Sequence, residues 1–208
     1  GRVDTDMALD IAGVPHRSDN ETYLFSLDGH KVGIYCCYNH LSPTEEMVKT
    51  AIDNLKDQGA SFVICAFHWG EEGVYRADAN QQKWAKAAID AGADVVYGHH
   101  PHVLQKIEEY NGGYIFYSLG NFSFGGNQAP VDMDTVLVQL EVIRDESGAV
   151  SLGELTIIPV SISSMAKQNN FQPTPYEKGS KEYDRTLSKL DGTFTGSNLV
   201  VDYSNIQK

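Results

Sequence analysis

SFVICAF at residues 61–67 and DVVY at residues 94–97 are the two segments that decide the fold. The first is an unbroken apolar run of strand length, as a strand buried on both faces of a sheet requires. Between them lies a helical pattern at 79–91, which begins after Asp78 as its N-cap and ends at Gly92. A strand, a helix and a strand in this order predict a right-handed βαβ unit with two parallel strands.

Histidines follow both of these strands. His68 comes directly after the first strand, and His99-His100-Pro101-His102 follows the second. Because ligands of open α/β sheets bind outside the carboxyl ends of the strands, connectivity places both groups at one edge of the sheet. Histidine is the commonest metal ligand, and an extended backbone would point His100 and His102 in the same direction. We therefore predict that His68, His100 and His102 are metal ligands.

Four further side chains near this edge are candidates for a supporting role around the metal or for contact with the substrate. Trp69, Glu71 and Glu72 come after His68, and Asn121 follows another predicted strand. A glutamate would either bind the metal or orient a histidine, and an asparagine carbonyl is an ordinary ligand of hard cations. Each also has a structural alternative. Trp69 would then be a packing residue, the two glutamates a solvated acidic turn, and Asn121 the cap of its turn.

The remaining histidines have different expected roles. His99 is either a hydrogen-bonded structural residue or a substrate-facing catalytic group, namely a general acid or an oxyanion partner. His16, His30 and His40 lie in loop or turn sequence, so we expect them at the surface.

Several further elements surround the βαβ unit, and their alternation indicates an α/β fold. The helix of the unit should pack on the sheet through Trp84, Ala88 and Ile89. The other predicted elements are strands at 23–27, 31–38, 114–119, 135–143 and 152–160, a helix with Ser42 as its N-cap that ends before Gly59, and a surface helix at 182–190.

Composition excludes some classes of function. The formal net charge is −12, from 28 acidic and 16 basic residues, which argues against a nucleic-acid partner. No apolar run approaches the roughly 18 residues of a membrane-spanning helix, and no signal peptide is recognisable. Cys36, Cys37 and Cys65 lie in apolar strands without a CxxC spacing, so we expect free core cysteines.

Three segments together resemble a known family. They are HWGEE at 68–72, AIDAGADVVYGHHPHVLQKIE at 88–108 and IFYSLGNFSF at 115–124. In these the chain resembles the poly-gamma-glutamate capsule biosynthesis family (CapA-type proteins) over roughly residues 8–160. The resemblance implies a metallophosphoesterase-like layered sandwich of mixed β-sheets with flanking helices. Residues 1–163 would form the C-terminal portion of that domain, and residues 164–208 an irregular C-terminal extension packed on it.

The resemblance also implies a function and a set of partners. His68, His100 and His102 resemble the histidine ligands of metallophosphoesterases, so the full-length protein should hold divalent metal ions. The G-D, N-x-E and N-N-H segments of the family are missing from this chain, so we expect metal to bind it weakly or not at all. The expected ligand is an anionic polymer or a phosphorylated or carboxylated molecule, and other capsule-synthesis membrane proteins are candidate partners. The expected location is the cell envelope or the outer face of the membrane.

Two functions fit this resemblance. One is a capsule biosynthesis protein that uses the histidine site for binding an anionic surface polymer. The other is an active metal-dependent phosphoesterase or hydrolase. Fold resemblance does not establish catalysis, so the sequence leaves both open.

Overall fold

The computed structural model describes residues 2–17, 20–38, 43–125 and 129–200. The helices are α1 (Arg2–Ala12), α2 (Glu45–Asp57), α3 (Ala79–Asp90) and α4 (Lys181–Asp191). The strands are β1 (Glu21–Leu27), β2 (His30–Tyr38), β3 (Phe62–His68), β4 (Val95–His99), β5 (Ile107–Tyr110), β6 (Gly113–Phe116), β7 (Asp134–Arg144), β8 (Val150–Ser161) and β9 (Thr174–Pro175).

These strands form two sheets, one of six strands and one of three. The larger sheet has the order β1-β2-β3-β4-β6-β5, and its four central strands are parallel while both edge strands are antiparallel. The smaller sheet, β7-β8-β9, is antiparallel. The predicted α/β class, with mixed sheets and flanking helices, is confirmed.

The parallel pairing of β3 and β4 is also confirmed, and it sets the position of the histidines. In this pair the Cα of His68 is opposite the Cα of His99, so both residues lie at the carboxyl edge of the sheet. The helix α3 connects the two strands as predicted, with Ala88 and Ile89 buried and Trp84 only partly buried.

The core lies on both faces of the larger sheet. On one face, alternate β3 residues such as Val63 and Cys65 pack against α2 and α3, which contribute Ile52 and Ala85. On the other face, a smaller cluster around Phe62, Val95 and Phe116 packs against β7 and β8. None of the three cysteines, all of which lie in the described part of the chain, forms a disulfide, and Cys37 and Cys65 are buried, as a core role predicts.

The start of α2 differs from its prediction. The helix begins at Glu45, and the side chain of Thr44 accepts a hydrogen bond from the amide of Met47, so Thr44 is the N-cap. Ser42, the predicted N-cap, lies outside the described residues, as does His40. Thr44 can take this role because its hydroxyl reaches the third helical amide, the usual capping geometry.

Buried ion pairs hold α4 against the strand β7. Lys189 is 3% exposed, and its ammonium lies 2.6 Å from a carboxylate oxygen of Asp134 and 2.7 Å from one of Asp132. Arg185 donates two further hydrogen bonds of 2.7 Å to Asp134. Across the described part of the chain, no helix is both long enough and apolar enough to cross a bilayer.

Candidate functional site

A cavity of about 300 Å3 opens at the carboxyl ends of β3 and β4, and we call it the histidine cavity. The ring centroids of His68 and His100 lie 4.7 Å apart, and those of His100 and His102 lie 6.3 Å apart. The convergence of the histidines is therefore as the sequence predicts, whereas their role as metal ligands stays a prediction. The lining consists of His68, His99, His100, His102, Gly120, Asn121, Phe122, Ser123 and Phe124.

The backbone of the loop that carries two of these histidines is not extended, so that part of the prediction is wrong. His100 has φ +98° and His102 has φ +58°, both in the left-handed region that side chains disfavour. Each such residue costs roughly 1–2 kcal/mol. Hydrogen bonds hold the loop in place, because Trp69 N donates to His99 O at 3.1 Å and Gly73 N donates to Pro101 O at 2.8 Å.

Asn121 orients His102. The Asn121 Oδ1 lies 2.7 Å from His102 Nδ1, and the Asn121 amide nitrogen lies 3.4 Å from the His102 carbonyl. An amide oxygen has no proton to give, so this contact requires the tautomer with its proton on Nδ1. The Nε2 lone pair of His102 is then available to a ligand. In metal sites, a hydrogen bond to one ring nitrogen of a histidine commonly orients the other nitrogen toward the metal in this way.

Trp69 is a core residue, which is the packing alternative that the sequence offered for it. Its side chain is fully buried, stacks on Phe67 with centroids 4.4 Å apart, and donates from Nε1 to Tyr117 O at 2.8 Å. Trp69 follows the strand alternation that sends Phe67 into the helix-covered core, because its backbone still pairs with that of His99. It supports the carboxyl end of the sheet from below.

The two glutamates do not line the histidine cavity. Glu71 is exposed and Glu72 is partly exposed, and the carbonyl of Glu71 accepts a hydrogen bond from Val74 N in a tight turn. The solvated acidic turn is the alternative that fits these positions, and the structure does not support the predicted supporting role.

His99 lines the cavity at the end of β4, and its residue as a whole is exposed. Partial burial of its imidazole lowers the pKa of the ring, whereas a hydrogen bond with the Gly120 backbone raises it. The nearby His102 also lowers this pKa. Its ring packs edge-on against Tyr97, with centroids 5.9 Å apart. The proposed catalytic role of His99 stays a prediction.

Residues 10–126 match the family model described as bacterial capsule synthesis protein PGA_cap. The chain belongs to this family. It is 40% identical over 125 residues to the capsule biosynthesis protein CapA of Bacillus anthracis, a match that covers 59% of this chain and 29% of that protein. It is 37% identical over 138 residues to the PGA biosynthesis protein CapA of Bacillus subtilis, covering 65% of this chain and 36% of that one.

This chain thus spans about a third of the length of these two relatives. Among solved structures, the NAD nucleotidase of Haemophilus influenzae aligns at 16% identity with a TM-score of 0.42, over 82% of this chain and 36% of that one.

The donor set of this PGA_cap chain supports part of a metal site. His68 and His100 are close together, and His102 presents a free Nε2 if the tautomer is as inferred above. Among the residues that the structure describes, however, no group of three or more His, Cys, Asp or Glu side chains is close enough to hold a metal ion. These residues therefore fit a metal as a partial set of nitrogen ligands.

A second cavity adjoins the first, and we call it the Arg17 cavity. It measures about 320 Å3 and shares His68 and His99 with the histidine cavity. Sequence reasoning missed Arg17, which lines the Arg17 cavity, and Phe122 and Phe124, which line the histidine cavity. The FSF at 122–124 lies within a segment that resembles the family and offered a signal, whereas nothing in the sequence around Arg17 indicated its position.

Proposed function

We propose that this chain is the part of a capsule biosynthesis protein that binds an anionic surface polymer, such as poly-gamma-glutamate, at the histidine cavity. Membership of the PGA_cap family and the names of the two Bacillus relatives support this function. The observation that carries it is the cavity itself. Its lining contains four histidines and, within the described part of the chain, no carboxylate, although the whole chain has a net charge of −12.

In this proposal His68, His100 and His102 would contribute nitrogen ligands to a divalent metal ion, which would need further ligands because no three of the described side chains are close enough together to hold it alone. Such an ion would act as a Lewis acid that polarises a carboxyl or phosphoryl oxygen. Other groups of the protein position these histidines. Asn121 fixes the ring of His102, and the hydrogen-bonded loop keeps His100 beside His68.

The other lining residues shape the environment of the bound group. Phe124 packs on His102 with ring centroids 4.9 Å apart, and Phe122 also lines the cavity. A bound group would displace water from these exposed rings, which would strengthen the attraction between a bound anion and nearby donors. His99 is the candidate proton donor or oxyanion partner.

An active metal-dependent phosphoesterase is the second candidate function. The left-handed backbone at both His100 and His102 favours it, since strained residues persist mainly where surrounding structure enforces them and cluster at active sites. In this case the cavity would hydrolyse a small or cell-envelope ester rather than only bind a polymer.

We propose that the protein lies at the cell envelope or on the outer face of the membrane, with other capsule-synthesis membrane proteins as candidate partners. The acidic net charge argues against nucleic acid.

We further infer that residues 1–163 form the C-terminal portion of a metallophosphoesterase-like domain and that residues 164–208 are an extension packed on it. The contacts of α4 with β7 through Asp132 and Asp134 support this division.

Replacing His100 with alanine tests the proposal. We expect His100→Ala to weaken binding of a poly-gamma-glutamate oligomer about tenfold in a calorimetric titration with Mn2+ present, because a ligand of the bound ion is lost. His30→Ala is the matched control, since His30 lies beside Arg144, outside the histidine cavity, and its loss should leave binding unchanged.

The same proteins separate the two functions when a generic phosphodiester such as bis(p-nitrophenyl) phosphate is added. Metal-dependent turnover that disappears in His100→Ala supports the phosphoesterase. Polymer binding without turnover supports the binding protein. Equal oligomer binding by wild type and His100→Ala, with no turnover in either, would refute both functions for this cavity.

A further inference from the structure

Arg17 holds a position that the function proposed above does not use. It lines the Arg17 cavity together with Cys36, Tyr38 and Tyr97, and this cavity meets the histidine cavity at His68 and His99. Of the lysines and arginines in the described ranges, Arg17 is the one that lines either cavity. The positively charged side chain of Arg17 thus lies near the histidines that the two cavities share.

Neighbouring groups hold the Arg17 side chain in this place. Its guanidinium carbon lies 4.7 Å from the centroid of the Tyr23 ring, a cation–π distance, and its Nη1 donates to the carbonyl of His16 at 2.6 Å. These contacts occupy one face and one nitrogen. Guanidinium has five N–H donors in a planar fork, so donors suited to a carboxylate remain.

The charges around the two cavities favour an anion. The linings include histidines, aromatic rings, cysteines and one arginine, and within the described residues neither lining includes an aspartate or glutamate. Glu21 lines a separate depression to which Arg17 also contributes. A local site without carboxylates is notable in a chain with 28 acidic residues, because a general acidic field would otherwise repel an anion.

We propose that the Arg17 cavity is a second anion subsite, in which Arg17 binds a carboxylate of an extended polycarboxylate chain whose neighbouring unit occupies the histidine cavity. This inference rests on the proposed function and adds the class of ligand. A single small anion would occupy one cavity. A chain with a carboxylate on each unit would occupy both, because the cavities share two residues. Arg17 then selects ligands by the spacing of their charges.

The test compares a short ligand with a long one. Glutamate and a γ-linked glutamate trimer are titrated into wild type, Arg17→Gln, Arg76→Gln and His100→Ala, with affinities from NMR shift titrations in low salt. Arg76 is exposed and lines neither cavity, so Arg76→Gln makes the same charge change elsewhere. Arg17 is exposed too, so its replacement should leave the fold intact, which far-UV circular dichroism verifies.

We expect Arg17→Gln to weaken the trimer about tenfold and to leave glutamate unchanged, since a hydrogen-bonded charge pair contributes only to the longer ligand. Arg76→Gln should bind both ligands like wild type, and His100→Ala should weaken both. A trimer that binds Arg17→Gln as tightly as wild type overturns the second subsite and leaves the histidine cavity standing. If neither ligand binds wild type, the proposed function is refuted, and the subsite with it.

Discussion

Replacing Gly98 with alanine should disrupt the support beneath the histidine cavity. Gly98 is the residue before His99, and a Cβ built on it would lie 2.1 Å from Trp69 Nε1 and 2.3 Å from Tyr117 O. These two atoms are the donor and the acceptor of a buried hydrogen bond of 2.8 Å. A methyl group therefore cannot fit unless Trp69 moves, and its movement breaks that bond.

The expected loss of stability has two parts. Inserting a methyl group into a well-packed core costs typically about 1–3 kcal/mol. Leaving the buried indole N–H of Trp69 without its acceptor costs about another 1–3 kcal/mol. Together they predict that Gly98→Ala lowers the free energy of unfolding by about 2–6 kcal/mol. For a chain of this size that corresponds to a fall in Tm of roughly 5–20 °C.

Thermal and urea unfolding of Gly98→Ala and Gly125→Ala would measure this effect. Gly125 is a matched control, because its φ lies outside the left-handed region and a Cβ there would meet no atom within 4 Å. Its replacement should change Tm by little. If Gly98→Ala unfolds within about 1 °C of wild type, the packing of Trp69 against β4 does not support this end of the sheet, and our account of the loop is wrong.

Two further predictions concern the ion pairs that hold α4. Lys189→Met leaves Asp132 and Asp134 buried with less compensating charge. We therefore expect urea unfolding to show a loss of about 3–5 kcal/mol in the free energy of unfolding, against little change for the exposed Lys178→Met. Equal stability of the two variants would contradict this prediction. Burial raises the pKa of Asp134, but hydrogen bonds from Arg185 and the charge of Lys189 outweigh it, so this pKa lies below its ordinary value. This stabilisation is thus fully present above the unfolded pKa of about 3.9 and is lost as pH falls through the lower folded pKa. The stability advantage of wild type over Asp134→Asn should therefore shrink between about pH 5 and 3. An advantage that stays constant over this range would refute the linkage.

The sequence was sufficient to predict how the histidines meet. A βαβ connection allows one common handedness, so β3 and β4 had to be parallel, and His68 and His99 had to lie at the same edge. The apolar run at 61–67 likewise required a strand buried on both faces. These features depend on local pattern and connectivity, which a single sequence carries in full.

Side-chain environments at the same edge were less predictable. His100 and His102 take left-handed backbone conformations that no local pattern of residues requires, since the loop is held by amides of Trp69 and Gly73 from another segment. Nothing in the local sequence indicates that Asp134 is buried and paired, because its partners in α4 are about 50 positions away in the sequence. Contacts of that separation follow from the assembled fold.

The strained loop also explains why its supports matter to the proposed site. The left-handed conformations of His100 and His102 together cost roughly 2–4 kcal/mol, so the loop would adopt another conformation without the hydrogen bonds that hold it. Pro101 O is held by Gly73, and Gln105, which follows the loop, donates to Val74 O at 2.8 Å and accepts from the buried Gln81 at 2.8 Å. These bonds tie both flanks of the loop to the turn after β3 and to α3. The free energy that keeps His100 beside His68 therefore comes in part from polar contacts outside the cavity.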